Sequence, residues 1–87
     1  MSIAHDIAEQ IHAIQYDDLP SDAIPLARTA ILDAVGCTFL GASEEMVHIV
    51  ERTPGFGGAE GPCTLFGRSY RTNPLDAVMF NGVASHA

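Results

Sequence analysis

The feature that most constrains the fold is the stretch from Ala30 to Leu40, which is apolar almost all the way round a helix. Only Asp33 and Thr38 interrupt it. A helix that is apolar on every face is normally enclosed by neighbouring elements and does not lie on a surface. The other helices expected in this chain are too short to enclose it. We therefore expect further chain or a second subunit to cover it.

Two glycines bear on the packing and the end of this helix, and two residues could mark its start. Gly36 lies in mid-helix, where glycine costs up to ~1 kcal/mol relative to alanine, and we interpret it as a close crossing with another helix. Gly41 suits a left-handed helix cap. The helix begins either with Ser21 as its cap or with Pro25 as its first residue, and the pattern leaves both open.

Around this helix the sequence predicts three shorter helices and one hairpin. Ser2 caps a first helix that has an isoleucine every three or four residues, and Ser43, before two glutamates, begins a third. Residues 55–62 form a glycine-rich connection, followed by a strand, a turn at Gly67 and a return strand. The predicted fold is mainly α: a bundle-type helical fragment with one short β-hairpin. Residues 1–87 are then the N-terminal segment of a larger all-helical domain.

The last predicted helix carries the candidate ligand-binding residues. Asn73 is a good cap, and the inward stripe is expected to consist of Leu75, Val78, Met79, Gly82 and Val83. His86 continues that stripe, so its side chain should point inward or into a cleft. Asn81 and Ser85 share a more lateral face and could hydrogen-bond to a ligand there. The stripe shows no stop signal, so the chain is expected to be the opening piece of a longer one.

Composition and charge exclude several classes of function. The 87 residues include eleven acids and four basic residues, all Arg, for a net charge of -7. This balance disfavours nucleic acids and anionic membrane surfaces, and no apolar run reaches the ~18 residues that a membrane helix requires. We recognise no secretory or transit leader. Cys37 and Cys63 are expected to be free thiols, and a cytoplasmic location follows.

Two sets of polar side chains could carry chemistry, and each also has a simpler interpretation. His5, Glu9 and His12 share one face of the first helix at a spacing that can hold a metal, but a solvated polar face shows the same pattern. Asp33 lies among apolar residues, where a carboxylate needs a partner. It either binds a neighbouring helix end or Arg, or it is a catalytic acid. The simpler interpretation is favoured for both sets.

Two helices and the turn between them contain short motifs in a recognisable order. The last helix contains Asp76-Ala77, Asn81-Gly82 and Ser85-His86-Ala87. The long apolar helix contains Ala27-Arg28, Ile31 to Gly36, and Gly41, and the turn contains Leu65 to Arg68. Together with the order of the helices, these motifs resemble the MmgE/PrpD family of 2-methylcitrate dehydratase-like lyases over nearly the whole chain.

The resemblance implies a homodimeric lyase that dehydrates, decarboxylates or epimerises a small di- or tricarboxylate without a metal or other cofactor. It places Asn81 and His86 at the edge of the substrate site. In the family, the Asn-Gly-x-x-x-His helix leads into an acidic motif that this sequence does not contain. No residue here is therefore predicted to be catalytic, and the chain alone is expected to be inactive.

The alternative interpretation comes from another class of function. A stand-alone acidic helical module would use its exposed apolar stripes for oligomerisation or partner binding.

The hairpin arginines, Arg68 and Arg71, could face a carboxylate ligand in a lyase, although exposed arginines on a hairpin usually face water.

Overall fold

The structure is a computed structural model that describes residues 2–87. Within that range it contains four α-helices, one short 3-10 turn at Tyr16–Asp18 and one antiparallel two-stranded sheet. The elements are α1 (Ile3–Ala13), α2 (Ala23–Gly41), α3 (Glu45–Arg52), β1 (Cys63–Thr64), β2 (Arg71–Thr72) and α4 (Pro74–His86). The predicted mainly α fold with one small hairpin is confirmed.

The first and last helices begin where the capping residues predict. The Ser2 hydroxyl accepts a hydrogen bond from the backbone N–H of His5 at 3.1 Å. The Asn73 side chain accepts one from the N–H of Asp76 at 3.0 Å, and Pro74 takes the first position of α4. Each cap satisfies an N–H group that has no partner inside its helix.

The starts of α2 and α3 differ from the prediction. Helix α2 begins at Ala23, so neither Ser21 nor Pro25 marks its start. A proline is tolerated inside the first turn because N–H groups there have no partner within the helix. Ser43 does not cap α3, because its hydroxyl donates to the carbonyl of Leu40 at 3.0 Å and so closes the end of α2.

The hairpin forms where β-type residues flank a glycine turn. Cys63 pairs with Thr72 and Thr64 pairs with Arg71. The turn between the strands needs a left-handed residue, which Gly67 supplies with φ of 84°. The hairpin thus confirms the prediction and brings the strands against α4.

The packed core lies among the end of α2, α3, the hairpin and α4. Its buried apolar residues are Ala42, Val47, Leu65, Ala77, Phe80 and Ala84. On α4 the buried face is therefore not the predicted inward stripe, since Leu75 and Val78 of that stripe are 84% and 72% exposed. Helix α4 is apolar on two faces, and periodicity alone does not indicate which one this chain packs.

Helices α2 and α4 cross at Gly41 and not at Gly36. A Cβ atom at position 41 would lie 1.8 Å from the carbonyl oxygen of Ala84, whereas one at position 36 would meet nothing within 4 Å. Gly41 is also not a left-handed cap, because it is a helical residue of α2 and lies outside the set of positive-φ glycines found in residues 2–87. Its role is to allow the close approach of two backbones.

Much apolar surface is left uncovered by this chain. Every residue of α1 is exposed, and α2 exposes Leu26, Ile31, Leu32, Phe39 and Leu40. By length and composition α2 is also long enough to span a membrane, so the expectation that no apolar stretch reaches that length is wrong. Interior helices of soluble proteins meet the same criterion. Asp33 is exposed on this helix, and within residues 2–87 its carboxylate accepts a contact from the Cys37 thiol at 3.9 Å and not from the expected Arg or helix end.

Candidate functional site

An open groove of ≈ 1170 Å³ lies between α3, the turn that follows it and α4. Its apolar lining includes Met46, Val50, Phe56, Leu75, Val78, Met79 and Val83. The stripe that was predicted to face the core of the chain thus lines this groove. A concave apolar surface with a few polar groups is the usual form of a ligand site.

Three polar side chains reach the lining of the groove: Thr53, Asp76 and His86. The Thr53 hydroxyl donates to a carbonyl one turn earlier, at 2.8 Å. The Asp76 carboxylate accepts hydrogen bonds from the N–H of Gly57 at 2.7 Å and from the Asn73 amide at 2.8 Å. Two of the three groups are therefore engaged in holding the turn and the start of α4.

His86 lies at the groove and is exposed. Its Nδ1 atom is 2.9 Å from the carbonyl oxygen of Gly82 and 3.0 Å from the hydroxyl of Ser85. Across the described part of the chain, Nε2 has no hydrogen-bond partner. The substrate-binding role of His86 stays a prediction, and the geometry leaves one ring nitrogen available for it.

Asn81 lies on the hairpin side of α4 and does not line the groove. Its side-chain oxygen accepts from the N–H of Phe66 at 3.0 Å, and its amide nitrogen donates to the carbonyl of Thr64 at 2.9 Å. The structure therefore does not bring Asn81 and His86 together. The observed contacts of Asn81 hold α4 against the hairpin, and its predicted contact with substrate stays a prediction.

The histidine-containing face of α1 shows one close contact between side chains. The Nε2 atom of His5 is 3.2 Å from a carboxylate oxygen of Glu9, and the two side chains are 54% and 66% exposed. His12 does not complete a ligand set, and residues 2–87 contain no group of three side chains arranged to hold a metal. The three side chains lie on an exposed face of α1.

A cluster that the sequence analysis did not anticipate joins α3, the hairpin and the core. The Arg68 guanidinium donates to both carboxylate oxygens of Glu51, at 3.0 and 2.6 Å, and to the carbonyl of Ala42 at 2.9 Å. It also lies over the Phe80 ring, 5.1 Å from the centroid. The Tyr70 hydroxyl donates to the same carboxylate. Arg68 therefore binds a carboxylate of its own chain.

The cluster shifts the pKa values of its members in directions that favour the observed contacts. Hydrogen bonds from Arg68 lower the pKa of Glu51 below its ordinary value, and the same contacts raise the pKa of Arg68. Burial and the hydrogen bond to Glu51 raise the pKa of Tyr70 to about 12. Tyr70 thus remains a neutral hydrogen-bond donor at neutral pH.

Comparison with known proteins gives a direct match. The family model of the MmgE/PrpD N-terminal domain matches residues 5–87. The chain belongs to the MmgE/PrpD family. A curated relative is cis-aconitate decarboxylase of Homo sapiens, to which the chain is 31% identical over 87 residues, covering 99% of this chain and 18% of the human protein. The chain thus spans less than a fifth of that relative, and no solved structure matches it significantly.

Several residues of the MmgE/PrpD motifs make contacts within this segment. Gly41 permits the crossing with α4, Asp76 fixes the turn after α3, and Asn81 fixes the hairpin. These three positions hold the MmgE/PrpD segment together. His86 differs from them, because its ring has a nitrogen that none of the described residues contacts.

Acidification is expected to weaken this MmgE/PrpD segment through Glu51. Because the folded-state pKa lies below the ordinary 4.5, the Glu51–Arg68 contact contributes fully above the unfolded-state pKa and is lost as pH falls through the folded-state value. Glu51→Gln should lower the free energy of unfolding by about 1–3 kcal/mol at neutral pH. The loss lies between those of exposed and buried ion pairs because both side chains are 18% exposed. Urea unfolding at several pH values measures the cost, which should disappear in acid.

Glu45→Gln is the matched control for this experiment. Glu45 pairs with Arg52 at 2.8 Å, but the side chains are 72% and 66% exposed. Solvent screens such a pair, so we expect little change at any pH. An equal loss in both variants would show that the Arg68 cluster has no special role.

Proposed function

We propose that this chain is the N-terminal segment of a lyase that acts on a small di- or tricarboxylate, of the 2-methylcitrate dehydratase or cis-aconitate decarboxylase kind. The match to the family domain over residues 5–87 carries the proposal. The name of the human relative describes decarboxylation of one such acid. Both reactions need a base, an acid and cations for the carboxylates, because hydroxide or carbon dioxide must leave beside a carboxylate.

The segment supplies only part of that chemistry. The described lining of the groove contains no Arg, and Arg68 is already bound to Glu51. A polycarboxylate needs several cations in one pocket, so other parts of the protein must provide them. We place His86 and Asn81 at the edge of the substrate site. Within residues 2–87 the groove does not bring a base, an acid and cations together, which supports an inactive chain.

The proposal includes a homodimer in the cytoplasm that binds no nucleic acid, membrane, metal or cofactor. The uncovered apolar faces of α1 and α2 support burial against protein. The net charge of -7 supports the exclusion of nucleic acid. In this proposal α2 is covered by protein and not by lipid.

The purified chain is expected to turn over neither 2-methylcitrate nor cis-aconitate. Its groove offers one free ring nitrogen, on His86, and no cation among the described residues. An NMR time course with each acid measures the expected lack of product. Turnover that disappears in His86→Ala would contradict the proposal, whereas turnover that persists in this variant would point to a contaminating enzyme.

The exposed isoleucine stripe of α1 favours a second candidate function, a stand-alone helical module for oligomerisation or partner binding. Sedimentation at increasing protein concentration separates the two. A discrete species of fixed size favours the module. Aggregation that grows with concentration favours the lyase segment, because its apolar faces would then await further protein.

A further inference from the structure

We propose that Asn81 is a site of slow covalent modification, at which deamidation takes place only when α4 separates from the hairpin. Asn81 is followed directly by Gly82. The backbone nitrogen of Gly82 can attack Cγ, the amide carbon of the Asn81 side chain. Glycine hinders this attack less than any other residue because it has no side chain. The site depends neither on the proposed lyase reaction nor on a ligand.

The reaction at Asn81 consumes only water. The backbone nitrogen of Gly82 loses its proton and forms a bond to Cγ of Asn81, while the side-chain nitrogen leaves as ammonia. Water then opens the cyclic imide at one of its two carbonyl carbons. The products are aspartate and isoaspartate, in which the main chain runs through the former side chain. No atom is oxidised or reduced, so the step needs no further reactant.

In the folded chain both partners in this attack are held apart from it. The Asn81 side-chain oxygen accepts from the N–H of Phe66 at 3.0 Å, and its nitrogen donates to the carbonyl of Thr64 at 2.9 Å. These bonds fix the side-chain amide against the hairpin. Gly82 lies inside α4, where the backbone N–H points along the helix to a carbonyl of the preceding turn. Ring closure therefore requires α4 to unwind at Gly82 and Asn81 to leave the hairpin.

Once α4 has separated, the site is open to the reaction. Gly82 is exposed, and no atom of residues 2–87 lies within 4 Å of the place where its Cβ would stand. It is four residues from His86, the last residue of α4. Helix ends open more readily than helix centres, and glycine weakens a helix further. The contacts of Asn81 with the hairpin are therefore the restraint that controls the rate.

The modification prevents the hairpin contact from forming again. Aspartate carries an oxygen where Asn81 has its donor nitrogen, and this oxygen would face the carbonyl of Thr64, which is also an acceptor. Isoaspartate adds an atom to the main chain, which breaks the regular spacing of α4. Each separation of α4 from the hairpin thus carries a chance of permanent change, and modified chains accumulate with time.

The first test measures the rate of deamidation in the purified chain of 87 residues. Mass spectrometry of the peptide 72–87 follows the conversion of amide to acid in buffer and in concentrated urea. We expect the reaction at Asn81 to be at least about tenfold slower in buffer, because the rate follows the population of the open form. Asn73 is an internal control, since Pro74 has no N–H proton to lose. Equal rates in buffer and urea would overturn the proposal.

Two variants separate the contribution of the hairpin from that of the local chemistry. Leu65 lies between Thr64 and Phe66 and is fully buried at 0% exposure. Leu65→Ala should accelerate deamidation in buffer about tenfold or more, because it shifts the folding equilibrium by at least that factor. In urea its rate should equal that of the unaltered chain. An unchanged rate in buffer would show that the hairpin does not control the site.

Gly82→Ala is the matched variant for the chemistry. The added methyl group meets no atom of residues 2–87 within 4 Å, so the fold admits it. The methyl group hinders the attacking nitrogen, and deamidation should therefore slow in urea as well as in buffer. A rate in urea equal to that of the unaltered chain would show that the nitrogen of residue 82 is not the attacking group.

Asn81→Asp tests the permanence of the change. This variant reproduces the simpler product and leaves the carbonyl of Thr64 without its donor. It should shift the folding equilibrium towards the unfolded chain by about tenfold, which urea unfolding measures as a lower midpoint. A midpoint equal to that of the unaltered chain would contradict the loss of the hairpin contact.

Discussion

Replacing Phe80 with Ala is expected to lower the free energy of unfolding by about 3–5 kcal/mol, the usual cost of deleting a buried aromatic ring. Phe80 is fully buried at 0% exposure. Its ring packs 6.3 Å from that of Phe56 and lies under the Arg68 guanidinium at 5.1 Å. The substitution removes both contacts and leaves a cavity between α4 and the hairpin. Urea unfolding followed by circular dichroism at low protein concentration measures the loss.

Phe39→Ala provides a control that deletes the same atoms from an exposed position. Phe39 is 54% exposed and packs against Phe66 at a centroid distance of 5.3 Å. We expect it to cost about 1 kcal/mol, the value of one aromatic pair. If the two variants lost equal stability, the core would not be centred on Phe80.

Gly41→Ala and Gly36→Ala are expected to change stability in opposite directions, although both add one methyl group to α2. At position 41 the new Cβ would lie 1.8 Å from the backbone oxygen of Ala84, and α2 and α4 must separate to admit it. Such overpacking costs about 1–3 kcal/mol or more. At position 36 no atom lies within 4 Å of the new Cβ. The better helix propensity of alanine should therefore raise the free energy of unfolding by as much as about 1 kcal/mol.

The pair of glycine variants tests the position of the helix crossing directly. The urea midpoint should fall for Gly41→Ala and rise for Gly36→Ala, with the same spectrum for the folded state of each. A fall in both would indicate that another helix also approaches Gly36, as happens when a second copy covers α2. A rise in both would contradict the crossing at Gly41.

The elements of this fold were predictable because their signals are local. The caps at Ser2 and Asn73 act over three residues, and the hairpin needs only β-type residues around Gly67. The packing was less predictable. Helix α4 has apolar residues on both faces, and which one the chain buries depends on distant segments. For the same reason the sequence pattern indicates Gly36 as the residue at the helix crossing, whereas the structure places Gly41 there.

The candidate site shows the same division between local and distant contacts. The position of His86 beside a cleft follows from helical spacing, and the structure places it on the groove. Asn81 bonds to backbone groups of the hairpin, and Arg68 bonds to Glu51 on a separate helix. No periodicity encodes such pairs, because they depend on how elements distant in sequence come together.

The crossing of Gly41 with Ala84 also constrains the order of events during synthesis. The contact joins residues on opposite sides of α3 and the hairpin, so it closes a long loop and cannot nucleate locally. The ribosome delivers α2 before α4, so the end of α2 that packs against Ala84 has no partner until residue 84 emerges. A nascent chain of this kind is a natural client for chaperones that shield unfinished polypeptides.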